Sequence, residues 1–98
     1  MIKYRMAYLK FRNINEEGWE ISSNGTMGTY SSMEEMQKDL KAEISCFTDF
    51  FKNVKVKMDY NECVVTYDNR SWEGNKIENV VIYKFLEFDL DKILEENK

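Results

Sequence analysis

Few residues of this 98-residue chain have the type and spacing that catalysis or metal binding requires. Asp89 and Asp91 could hold a magnesium ion, because hard cations bind paired carboxylates. Two acids at the start of a helical pattern more commonly serve as its N-cap and as first-turn partners of the helix dipole. Cys63 would need a base and an activating cation to act as a nucleophile, and the chain contains no histidine. The sequence therefore predicts no catalytic residues, no metal site, no cofactor and no enzyme activity.

The two cysteines, Cys46 and Cys63, are too few and too far apart for a zinc site or a disulfide-stapled scaffold. We expect both to be reduced side chains in the core. No apolar run approaches the roughly 20 residues that cross a bilayer, and the first residues lack the pattern of a signal peptide. These features predict a cytoplasmic protein that does not enter a membrane.

The clearest candidate for protein contact lies near the tip of the last hairpin in the chain. Gly74-Asn75 has the glycine-first order of a type II′ turn, which would place Arg70, Trp72 and Ile77 on one side of a projecting finger. Tryptophan and arginine are enriched among the residues that dominate binding energy at interfaces. The alternative is that Trp72 folds back over the edge of the sheet and packs there.

A second candidate surface is the face of the predicted sheet opposite its core. Its members combine lysines with aromatic side chains and comprise Lys55, Lys57, Thr66, Asp68, Val81, Tyr83 and Phe85. Such a face could stack nucleic-acid bases or contact a protein. The N-terminal strands or the terminal helix could instead cover Tyr83 and Phe85. The net charge of -4 and the pI of about 4.9 argue against a nucleic-acid partner.

Strands are predicted before the first helix. Residues 2–12 alternate in polarity, but the apolar parity changes midway, which is typical of a bulged strand or of one buried on both faces. Residues 19–23 form a second short strand, which ends in an Asn24-Gly25 sequence typical of a tight hairpin turn. Residues 26–30, interrupted by Gly28, are a weak returning strand.

A capping box formed by Ser32 and Glu35 marks the start of the clearest element. Apolar residues then recur at spacings of three and four, namely Met33, Met36, Leu40, Ile44, Phe47 and Phe51. This spacing predicts an amphipathic helix that runs to about Lys52 and stops before Asn53. We interpret the apolar stripe as core and the opposite face as solvated. The alternative is a helix whose apolar stripe binds in the groove of a partner.

Three strands follow, and their turns predict their register. A turn at Asn61-Glu62 pairs Val56 with Tyr67, and the turn at Gly74-Asn75 pairs Tyr67 with Ile82. These registers place one apolar set on a single face, comprising Val56, Met58, Tyr60, Cys63, Val65, Tyr67, Ile82 and Leu86, with Lys84 as the misfit. A capped helical turn follows from Asp89.

The elements together predict an α+β fold over residues 1–98. We expect an antiparallel sheet of about five strands with one main helix packed on one face. The predicted order is β-β(-β)-α-β-β-β with a short C-terminal helical turn.

Two classes of function are consistent with these features. The preferred class is a small protein-binding module, such as an anti-CRISPR-like inhibitor or adaptor from a phage or mobile element that contacts a host or viral protein, for example a defence nuclease. Its small size, its lack of catalytic residues and its bias toward Lys, Asn, Ile, Tyr and Glu favour this class. The alternative is a nucleic-acid or nucleotide binder that uses the lysine and aromatic sheet face. A homodimer is compatible with either class.

Overall fold

The computed structural model describes residues 1–97, which form five β-strands and two α-helices. In chain order these are β1 Ile2–Ile14, β2 Trp19–Tyr30, α1 Met33–Phe50, β3 Lys52–Met58, β4 Glu62–Arg70, β5 Lys76–Asp89 and α2 Leu90–Glu96. The strands form one antiparallel sheet in the order β2-β1-β5-β4-β3. The predicted α+β class, the main helix and the short C-terminal helix are confirmed.

Helix α1 begins at the predicted cap. The Ser32 hydroxyl accepts a hydrogen bond from the Glu35 backbone N–H at 3.2 Å, and the Glu35 carboxylate accepts one from the Ser31 N–H at 3.1 Å. The helix ends at Phe50 rather than at Lys52, because Phe51 adopts an extended backbone and Lys52 begins β3. Asn53 therefore lies within a strand, with a left-handed φ of 56°.

The apolar stripe of α1 packs on one face of the sheet, as predicted. Met36 and Leu40 are fully buried, and the remaining stripe residues are half-buried against the same cluster. The buried sheet residues beneath the helix are Met6, Tyr30, Cys63, Val65, Tyr67, Val81 and Tyr83. Fully burying one such side chain contributes about 1.5 to 3 kcal/mol, so packing contributes more to this helix than its cap does.

The predicted Asn24-Gly25 turn is wrong, because β2 continues through it. Asn24 lies opposite Leu9 and Gly25 lies opposite Tyr8. A Cβ atom at Gly25 would come within 3.2 Å of the Tyr8 ring, so the glycine permits a close approach of β1 instead of a reversal of the chain. A bulge interrupts β2 between Thr26 and Thr29, and it contains Gly28, whose φ is 140°.

The register of β3 against β4 differs from the prediction by two residues. Val56 lies opposite Val65 rather than opposite Tyr67, since the connecting turn is longer than the predicted Asn61-Glu62 loop. A shift of two residues leaves each side chain on the predicted face. The faces assigned to β3 and β4 therefore remain valid.

The register of β5 against β4 differs by three residues, and an odd shift reverses the faces of β5. Tyr67 lies opposite Asn79 rather than opposite Ile82. Ile82, Lys84 and Leu86 consequently lie on the face away from α1. The predicted core set is wrong for β5, and the predicted misfit of Lys84 disappears.

The cysteines differ in their surroundings. Cys63 is fully buried under α1, as predicted, whereas Cys46 is exposed on the outer side of the helix, so its assignment to the core is wrong. Asp89 caps α2 by accepting a hydrogen bond from the Lys92 N–H at 3.3 Å, which confirms its predicted structural role. Within residues 1–97, no helix has the length and apolar character needed to cross a membrane.

Candidate protein-contact site

The turn between β4 and β5 is held by its own hydrogen bonds. The Ser71 carbonyl accepts the Gly74 N–H at 2.9 Å, and the Ser71 N–H donates to the Asn75 carbonyl at 2.9 Å. Gly74 has a φ of 85°, which glycine adopts without steric cost, and glycine is favoured at the fourth position of a type I turn. The turn therefore starts at Ser71, three residues earlier than the predicted Gly74-Asn75 turn, and this difference accounts for the shift in register.

Trp72 is the second residue of this turn, and its side chain is 102% exposed. The alternative in which it packs over the edge of the sheet is therefore wrong. The hydrogen-bonded turn fixes the backbone beneath the indole, so little backbone entropy would be lost on binding. Trp72 is thus an exposed aromatic group on an ordered support.

The other two members of the predicted finger do not lie together. Arg70 pairs with Lys76 on the sheet face away from α1, whereas Ile77 pairs with Asn69 and Ile14 on the α1 side. The prediction that Arg70, Trp72 and Ile77 share one side is wrong, because it used the shorter turn. Arg70 stays at the tip, where its Nη1 donates to the Gly74 carbonyl at 3.1 Å.

A groove of about 590 Å³ lies beside the turn of the hairpin, where the end of α1 meets β3 and β4. Its lining comprises Phe50, Phe51, Lys52, Asn53, Asp68, Asn69, Arg70 and Lys76. Phe50 is 79% exposed and gives the groove an apolar rim. The groove and the tryptophan of the adjoining turn form the candidate site, which we call the hairpin site.

The hairpin site is basic in an acidic protein. Its lining contains the cations Lys52, Arg70 and Lys76 and the carboxylate of Asp68. Asp68 accepts a hydrogen bond from the Asn53 amide at 3.0 Å. The local positive charge contrasts with the net charge of -4 of the whole chain and favours an acidic partner segment.

Searches of family models, of curated proteins and of solved structures found no match to this chain.

The lysine and aromatic sheet face predicted from the sequence does not form. Lys55 and Lys57 are exposed on the face away from α1. Tyr83 is 3% exposed beneath α1, and Phe85 packs against the same core. The odd shift of β5 separates the aromatic residues from the lysines, which removes the arrangement on which base stacking was predicted.

Burial raises the pKa of three ionisable side chains in the core, namely Tyr30, Cys63 and Tyr83. Burial raises the pKa of the Cys63 thiol above its usual value, so the thiolate needed for nucleophilic attack is disfavoured. Burial, with smaller contributions from Glu43 and neighbouring groups, also raises the pKa of Tyr83. For Tyr30, burial and then the nearby carboxylate of Asp39 raise the pKa to about 12. Within residues 1–97, no cluster of three potential metal ligands is present.

The sequence-based prediction missed Phe50, Lys52 and Lys76 as members of the hairpin site. A signal for Phe50 existed, because two consecutive phenylalanines at the end of a helix cannot both face its core. Phe51 packs in the core, and Phe50 is left exposed. Lys52 and Lys76 carry no comparable signal, since only the meeting of α1 with the hairpin brings them together.

Proposed function

We propose that this chain is a small non-enzymatic protein-binding module that contacts its partner through the hairpin site. The observation that carries the proposal is the fully exposed Trp72 on an ordered turn. A soluble protein gains no stability from such a side chain, whereas tryptophan is among the residues that contribute most at interfaces.

The groove beside Trp72 indicates the chemistry of the partner. Arg70 and the two lysines of the groove can pair with carboxylates, and Phe50 offers an apolar contact between them. A partner protein with an acidic segment next to a pocket for an indole would match both the cations of the groove and Trp72. Trp72 would supply the buried anchor, and the cations would orient the partner and speed its association.

The partner we propose is a host protein such as a defence nuclease, with the chain acting in the cytoplasm as an inhibitor or adaptor from a phage or mobile element. The small size of the chain supports this setting. So does its bias toward Lys, Asn, Ile, Tyr and Glu, which is typical of AT-rich coding as in low-GC bacteria and their phages. An inhibitor needs only to cover a functional surface, so a small contact site on an ordered hairpin is sufficient for this role.

The proposal is tested by capture from a host lysate, identification of the retained protein by mass spectrometry, and titration of that purified protein. Trp72→Ala is expected to weaken the affinity by about 2 kcal/mol or more, roughly 30-fold, because it removes the anchor. Its melting temperature is expected to stay within a few degrees of the parent value, because the side chain has no packing to lose.

Tyr60→Ala is the matched control. Tyr60 is also an exposed turn aromatic, at 89%, but the β3–β4 turn lies at the opposite end of the sheet. The Tyr60→Ala variant should bind the partner with the same affinity as the parent. Equal affinities of the parent and Trp72→Ala would contradict the proposal. Salt-dependent binding of a labelled oligonucleotide by the parent, without protein capture, would support the nucleic-acid alternative instead.

A further inference from the structure

The sheet face turned away from α1, which we call the open face, carries an apolar strip across three neighbouring strands. The strip comprises Ala7, Leu9 and Phe11 of β1, Val80 and Ile82 of β5, and Val64 of β4. All six side chains are half-buried, and none belongs to the core cluster under α1. Leu9, Ile82 and Val64 lie in one row across the sheet, so the strip is contiguous. A contiguous apolar surface is typical of an interaction site.

The open face is the basic side of an acidic protein. Six exposed cations belong to it, namely Lys52, Lys55, Lys57, Arg70, Lys76 and Lys84. Lys3 and Arg5 of β1 add two that are half-buried. Its strands contribute three carboxylates, those of Glu62, Asp68 and Glu78, while the other fifteen lie on the helices, in the turns or on the α1 side of the sheet. The face therefore has a positive excess in a chain whose net charge is -4.

Most cations of the open face are available to a partner. Within residues 1–97, Lys84 is the only one of them in a salt bridge, which it forms with Glu62. Lys55 and Lys57 line the strip on its β3 side, and Arg70 lies at its hairpin end. An apolar centre with a polar and charged rim is the usual arrangement of a protein interface.

The charges of the open face decide which occupant fits it. A second copy of this chain would bring two positive faces together, which disfavours a homodimer here. A nucleic acid has the right charge, but base stacking needs rings, and five of the six strip residues are aliphatic. An exposed ring on this face, that of Trp19, lies beyond the strip in the edge strand β2. An acidic protein segment with apolar side chains matches both the strip and its rim.

The width of the strip favours a helix as the docking element. Three adjacent strands span about 10 Å from the first to the third, at about 4.8 Å for each step. This width is close to the diameter of an α-helix, which is about 10 Å with its side chains. The opposite face of the same sheet already packs against the apolar stripe of α1. A second helix on the open face would complete a helix-sheet-helix sandwich of three layers.

We propose that the open face docks an acidic amphipathic helix of the partner protein. The apolar stripe of that helix would lie on the strip, and its carboxylates would pair with the surrounding lysines and arginines. The inference rests on the proposed function for the partner, because Arg70 and Lys76 belong both to the open face and to the hairpin site. The docked helix would extend the contact from the hairpin tip across the sheet.

The test uses two labelled helical peptides of about 18 residues, roughly 27 Å long, in place of the unidentified partner. Both have leucines at spacings of three and four, and the other face carries glutamates in one peptide and lysines in the second. In fluorescence anisotropy, the parent should bind the glutamate peptide about tenfold or more tightly than the lysine peptide. The net charge of -4 predicts the opposite preference. Preference for the lysine peptide, or binding of neither, would overturn the proposal.

Variants locate the binding surface. Ile82→Asp places a carboxylate at the centre of the strip and should weaken binding of the glutamate peptide by about tenfold or more. Lys55→Glu with Lys57→Glu should have a similar effect and flatten the salt dependence. Lys38→Glu with Lys41→Glu is the matched control, because it changes the net charge equally on the exposed side of α1 and should bind as the parent does. Equal losses in the two double variants would overturn the proposal.

Trp72→Ala separates this inference from the proposed function. It should bind the glutamate peptide as the parent does, because Trp72 lies in the turn beyond the strip. A parent that captures a partner through Trp72 but binds neither peptide would leave the proposed function standing and overturn the open-face inference. Tighter, salt-dependent binding of a single-stranded oligonucleotide than of the glutamate peptide would also overturn it and assign the face to nucleic acid.

Discussion

Tyr67 shows how a single residue joins the sheet to the end of α1. Its ring centroid lies 4.4 Å from that of Phe51 and 4.8 Å from that of Phe47, and the Lys10 ammonium lies 5.6 Å from the same ring. Its hydroxyl is buried and has no hydrogen-bond partner within residues 1–97. The ring therefore stabilises the fold, whereas an unpaired buried hydroxyl costs about 1 to 3 kcal/mol.

We expect Tyr67→Phe to leave the free energy of unfolding unchanged or to raise it by about 1 kcal/mol, because the ring contacts stay and the unpaired hydroxyl is removed. Tyr67→Leu is the matched comparison. It should lower stability, since it abolishes the aromatic stacking. Urea unfolding curves measure both changes. A loss of more than about 1 kcal/mol in Tyr67→Phe would show that the hydroxyl has a partner after all.

At the scale of elements, α1 acts as the cover of the sheet rather than as an independent helix. Its contacts run along one stripe, and the depth of burial varies along that stripe. Leu40 is 1% exposed at the middle of the cluster, whereas Ile44 is only half-buried. The stability contributed by each position should follow this gradient.

Leu40→Ala should lower the free energy of unfolding by about 2 to 5 kcal/mol, because it leaves a cavity in the core. Ile44→Ala should cost about half as much, since part of that side chain is already in solvent. Lys41→Ala, on the exposed side of the helix, should change stability by less than about 0.5 kcal/mol. Denaturant midpoints report all three. Equal losses at Leu40 and Ile44 would mean that α1 is rotated relative to the sheet.

The whole molecule is elongated, with extents of 55 × 25 × 21 Å, and its radius of gyration of 16.3 Å exceeds the about 13 Å of a compact chain of this length. The cause is the length of β1 and β5, which continue well beyond the ends of the strip that α1 covers. Such a shape leaves the hairpin tip at Trp72 exposed and distant from the core.

The sequence by itself determined the local elements of this protein. The capping box at Ser32 and the stripe from Met33 to Phe51 predicted α1, and Asp89 predicted the cap of α2, because caps and helical periodicity depend only on neighbours along the chain. The same local character made Asn24-Gly25 misleading. An Asn-Gly pair in a tight turn has the same sequence as an Asn-Gly pair within a strand, where the glycine leaves room for a ring from the neighbouring strand.

Only the tertiary structure decided the faces of β5 and therefore the candidate sites. A five-residue turn in place of a two-residue turn moved the register by three, which buried Tyr83 and turned Ile82 to the sheet face away from α1. The change of apolar parity in β1 did signal a strand with two apolar faces, since β1 pairs with β5 without interruption. The sequence could not show that α1 covers one of those faces and leaves the other open, because that depends on packing between elements distant in the chain.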